Sequence, residues 1–75
     1  MSVRVIVDGW NPGLRKVSLT SLLRRYGFGL YTSKASVDGL LDGFSFYVDF
    51  LSDDSANKFS KFAEALGAKT KTVNI

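Results

Sequence analysis

The chain contains no cysteine and no histidine. Disulfide frameworks, zinc fingers, thiol nucleophiles and imidazole general bases are therefore excluded, and with them most common routes to catalysis. The lack of cysteine agrees with an expected cytoplasmic address. Long apolar runs are missing too. None approaches the roughly 20 residues of a membrane span. The N-terminal "MSVRVIVDG" has neither the length nor the small-residue cleavage site of a secretory leader, so the chain is expected to be soluble and uncleaved, and no membrane partner is expected of it. Repeats, low-complexity tracts and linkers are likewise absent, and there is a single proline.

What remains is 75 residues, 45% of them hydrophobic, which is the make-up of one small globular domain over residues 1–75. A chain this short buries only about 60% of the surface its unfolded form exposes. Net stability is then expected near the low end of about 5–15 kcal/mol. Six Phe, three Tyr and one Trp offset the small core, because each ring buries a large apolar area. The net charge of +3 permits binding to nucleic acid or to an acidic protein face, and is equally compatible with ordinary solvated charge. No feature sets the oligomeric state.

Periodicity divides the chain into elements. In "VRVIVD", Val3, Val5 and Val7 alternate with Arg4, Ile6 and Asp8, which predicts a strand with one buried face. "GWNPG" ends it as a turn, with Trp10 expected to cap the end of the core. From Lys16 to Tyr26, Leu19, Leu22, Leu23 and Tyr26 fall at helical spacing. Gly27 follows as the expected cap, since a positive φ after the last turn costs glycine least. "YTSKASVDGLL" (31–41) suits either a short helix or a strand. "FSFYVDFL" (44–51), with Phe44, Phe46, Val48 and Phe50 on one face, predicts a central strand. "SDDSANKFSKFAEALGA" carries the strongest helix signal: Ser52 or Asp53 as cap, two acids at the positive dipole end, an apolar stripe of Ala56, Phe59, Phe62, Ala63 and Leu66, and Gly67 as the C-terminal cap. "KTKTVNI" predicts a closing strand.

The glycines of "RRYGFGLYTSK" raise the question of a phosphate loop, but such loops follow a strand and open a helix, whereas here a helix comes first. A helix cap and tight corner is the stronger reading, with Gly29 allowing close approach of the next helix. Asp8, Asp38, Asp42, Asp49, Asp53, Asp54 and Glu64 show no metal-loop spacing, and the serines have no general-base motif beside them. No catalytic residue, metal or cofactor is expected. If the pleats align, Arg4, Tyr47, Lys69 and Lys71 line one sheet face, combining cations with an aromatic platform as single-strand nucleic-acid binders do.

Taken together, "GFGLYTSK", the later "VDG" and "SDDSANKFSKFAEALGAKTKTV" resemble the C-terminal domain of the bacterial ribosomal stalk protein (ribosomal protein L-seven/L-twelve). That resemblance covers about Val3 to Val73. It implies an α+β fold ordered strand–helix–helix–strand–helix–strand, with a three-stranded antiparallel sheet and all helices on one face. The second helix would begin near Tyr31. It further implies a non-catalytic surface on the first two helices that docks a protein partner such as a translational GTPase. The matching positions are Lys16, Val17, Arg24 (or Arg25 or Leu23, since the segment before the glycines is one residue shorter than the family pattern), Gly29, Leu30 and Lys34. Thr20 replaces an aliphatic contact residue of the family, and Ser33 replaces an alanine. The family's N-terminal dimerisation segment and hinge have no counterpart here, which implies a free-standing relative. More distantly, "VIVDGWNP" resembles the protease adaptor ClpS, although the histidine of that family's ligand pocket is missing.

Overall fold

A computed structural model describes residues 2–75. Its elements run β1 (Val3–Trp10), α1 (Lys16–Arg25), α2 (Leu30–Leu41), β2 (Phe46–Phe50), α3 (Asp53–Ala65) and β3 (Ala68–Asn74). The sheet is antiparallel in the order β2-β1-β3, and the three helices cover one of its faces. This is the α+β architecture expected. The segment 31–41, open between helix and strand, is the helix α2.

The alternation of β1 sets the two layers. Val3, Val5 and Val7 are buried beneath the helices, while Arg4, Ile6 and Asp8 point to the other side. β1 is the central strand, with Val5 opposite Val48 on one side and Thr72 on the other. Residues 44–51 were expected to hold that place, but the strand is shorter and lies at the sheet edge. Alternation reports which face is buried; it carries no information about whether a strand has one neighbour or two. Phe44, expected on the inward face, precedes the strand and is 71% exposed.

Helix α1 buries Leu19, Leu22 and Leu23, and α3 buries Ala56, Phe59 and Ala63. Phe59 is the centre of an aromatic cluster, its ring 5.2 Å from Tyr26 and 5.5 Å from Phe50. Phe62, placed in the same stripe by sequence, lies instead on the flank of α3 and is 56% exposed. Trp10 also departs from expectation. It ends β1 opposite Ala68 and remains 40% exposed, outside the core cluster.

Capping explains where the helices stop. Ser52 Oγ accepts the Ser55 N–H at 3.3 Å, and Asp53 and Asp54 occupy the first turn of α3. After α1, the Gly27 N–H donates to the Arg24 carbonyl and the Phe28 N–H to the Leu23 carbonyl. That pair of bonds is a Schellman motif, with Gly27 at φ +96° as its left-handed residue. The glycine pair is thus a corner between helices. Gly29, however, has open space where a Cβ would stand, so close packing is not what places glycine there.

Candidate protein-docking site

The longest acid-free tract of the chain surrounds α1. Residues 9–37 contain no Asp or Glu and carry Arg15, Lys16, Arg24, Arg25 and Lys34. All five are exposed. Among the described residues the ion pair is Arg4 with Asp49, so none of these five has a carboxylate partner. Arg24 and Arg25 in the last turn of α1 sit favourably at the negative end of the helix dipole, which accounts for two of the charges locally.

Along α1, lined by one of these cations, Arg25, runs a cleft of about 320 Å³ between α1 and α3. Val17, Ser18, Ser21, Leu22 and Arg25 form its α1 wall, and Phe62, Ala65 and Leu66 the other. Its origin is visible in the packing. The loop before α1 is tied to the end of α3, with the Asn11 N–H donating to the Gly67 carbonyl at 2.8 Å and the Arg15 N–H to the Leu66 carbonyl at 2.9 Å. That fixes the helices at one end, and the small side chains Ser18, Ser21 and Ala65 leave the space between them unfilled. Val17 is 82% exposed and stands with Phe62 at the mouth.

The sequence-derived positions divide about α1. Val17 and Arg25 line the cleft, with Ser21 between them in one row at four-residue spacing. Lys16 and Arg24 lie in the adjacent row with Thr20, whose hydroxyl turns back to donate to the Lys16 carbonyl at 2.9 Å. Gly29, Leu30 and Lys34 begin α2, outside the cleft, with Leu30 and Lys34 exposed. Phe62 completes the apolar mouth and was not foreseen. The available signal was its offset from the track of Ala56, Phe59 and Ala63, which leaves a large ring beside the core face instead of on it.

On the opposite side of the molecule, the register does bring Arg4, Tyr47, Lys69 and Lys71 onto one sheet face. Ile6 sits between Tyr47 and Lys71, and Gly9 lies opposite Lys69 across a bulge in β1. The cation and the ring there are already engaged with each other. Arg4 donates to both Asp49 oxygens, at 2.8 and 3.1 Å, and its guanidinium carbon lies 3.9 Å from the Tyr47 ring centroid. Hydrogen bonding to Arg4 holds the Asp49 carboxyl below its usual range, and the same bond raises Arg4. One ring face of Tyr47 is therefore covered and one positive charge neutralised. Only Lys69 and Lys71, both on β3, remain unpaired among these four residues.

Among the described residues no three His, Cys, Asp or Glu side chains come together to hold a metal, and no helix is long and apolar enough to cross a membrane. No protein-family model matches the chain, and no curated protein or solved structure is significantly similar to it.

Proposed function

We infer that this chain is a non-catalytic protein-interaction domain that docks an acidic, apolar-centred segment of a partner on α1. The observation that carries this reading is the cleft with Val17 and Phe62 at its mouth, whose α1 wall belongs to the acid-free tract. Apolar side chains of the partner would displace water from Val17, Phe62 and Leu66 and supply most of the affinity. Carboxylates flanking them would meet Arg25, Lys16 and Arg24, which speeds encounter and sets orientation more than it adds binding energy. The resemblance to the ribosomal stalk domain points to the same helix and makes a translational GTPase the first partner to try.

The test is an amide NMR titration of the labelled domain with a purified bacterial translational GTPase. We expect shift changes along α1, at Phe62 and Ala65, and at the start of α2, with at least tenfold weaker binding for Val17→Asp. Changes confined to Arg4, Tyr47, Lys69 and Lys71 would overturn the reading. The nucleic-acid alternative is tested separately, by titrating single-stranded RNA at two salt concentrations, where its affinity should fall steeply with salt. That alternative ranks lower because Arg4 is bound to Asp49 and covers Tyr47.

A further inference from the structure

The two edges of the sheet are built differently. β3 carries Lys69 and Lys71, whose charges discourage another strand from adding. β2 has no such protection. Between residues 44 and 51 there is no lysine, arginine, proline or glycine, and the lone charge, Asp49, is balanced by Arg4 within the same chain. Just outside the strand, Phe44 is 71% exposed and Leu51 is 91% exposed, and Tyr47 stands half-exposed within it. An unpaired row of backbone N–H and C=O groups is thus bordered by large apolar side chains.

We propose that β2 is a self-association edge, on which a second copy of this chain pairs antiparallel to form a continuous six-stranded sheet. A two-fold axis demands that residues pair symmetrically, and a strand keeps its buried face only if paired residues share a face. Three centres meet both conditions near the middle of β2. Centring on Asp49 sets two like charges opposite each other, which is unfavourable. Centring on Tyr47 keeps only Phe46, Tyr47 and Val48 paired within the strand. Centring on Val48, the middle residue of the five, pairs the whole strand: Phe46 with Phe50, Tyr47 with Asp49, and Val48 with itself.

That register is complementary on both faces. On the helix side it extends the core by aligning Phe46 and Phe50 of the two copies. On the open side each Tyr47 hydroxyl lies across from the other copy's carboxylate, which retains acceptor capacity after binding Arg4. Leu51 falls opposite the small Ser45, leaving room for it to lie over the junction. Phe44, Tyr47 and Leu51 leave roughly 400 Å² uncovered per copy. With the backbone edges added, the pair approaches the lower limit of about 1,000 Å² for a specific interface. A weak, concentration-dependent dimer is the expected result, and neither Phe44 nor Leu51 lines the α1–α3 cleft.

Sedimentation velocity over a hundredfold range of concentration tests association. The wild-type chain should move from monomer toward dimer, and Leu51→Lys with Phe44→Lys, both at exposed positions, should remain monomeric at every concentration while keeping its circular dichroism. Register is tested separately, because the chain has no cysteine of its own. A mixture of Ser45→Cys and Leu51→Cys chains should cross-link to a disulfide heterodimer under mild oxidation, whereas Ser45→Cys alone should not. A wild-type chain that stays monomeric throughout overturns the proposal. So does a dimer that persists in the double-lysine variant, or one that fails to form the mixed cross-link. None of these results bears on the NMR titration of α1, so failure here is distinguishable from failure of the docking function.

Discussion

Gly67 and Gly27 provide a paired test of how the α1–α3 unit is held. Both end helices with positive φ, +104° and +96°. Alanine at either position meets the left-handed penalty of about 1–2 kcal/mol. Their surroundings differ. A Cβ on Gly27 would meet nothing within 4 Å, whereas one on Gly67 would lie 2.9 Å from Leu14 Cα and 3.4 Å from its nitrogen. Leu14 cannot retreat freely, because its N–H donates to the Asn11 carbonyl at 3.1 Å and its neighbours Asn11 and Arg15 are bonded to Gly67 and Leu66. Forcing extra volume against backbone adds about 1–3 kcal/mol. Gly27→Ala is therefore expected to cost about 1–2 kcal/mol and Gly67→Ala about 2–5 kcal/mol. For a domain of this size each kcal/mol lowers Tm by about 4–8 °C, so the second variant should melt at least about 4 °C below the first. Urea titrations followed by far-UV circular dichroism give both values, with equal slopes confirming a common unfolded state. Equal destabilisation by the two substitutions would refute the reasoning, since it would mean that the loop yields and does not pin α1 to α3.

Ser33→Ala should stabilise the fold by about 1 kcal/mol. The Ser33 hydroxyl is fully buried in α2 with no hydrogen-bond partner, and alanine removes that desolvated group while favouring the helix; a fall in Tm would show that the hydroxyl is satisfied. Ser52→Ala should cost about 1 kcal/mol by leaving the Ser55 N–H without its acceptor, measured by the same urea titration. The Asp49 carboxyl should titrate below the ordinary aspartate value of about 4 by NMR, and return toward it in Arg4→Gln. Because its folded pKa is depressed, the pair's contribution to stability is complete above that ordinary value and disappears as pH falls through the folded one. An unchanged Asp49 titration in Arg4→Gln would contradict the assignment.

If both proposals hold, pairing through β2 gives each particle two docking clefts. A partner presenting two acidic segments would then bind by avidity, without any new contact in either cleft.

The residue pattern by itself determined five of the six elements and most of their ends, and left 31–41 open between helix and strand. Val3, Val5 and Val7 announced a strand with one buried face, the leucines of α1 a helix, and Ser52, Gly27 and Gly67 the points where helices begin and stop. These are consequences of local geometry: a two-residue period, a 3.6-residue period, and the few side chains that satisfy helix ends. Only the tertiary structure decided which strand is central, because pairing depends on two other segments and leaves no mark on a strand's own alternation. The same limit applies to single residues. Phe62, assigned to the core stripe, is offset to its margin by helical spacing alone, but that it borders a cleft depends on where α1 lies, and Arg4 loses its availability only because the register sets Asp49 across from it. Whether a ring is buried or a charge is free depends on the residues opposite, and those are brought into place by segments distant in the chain.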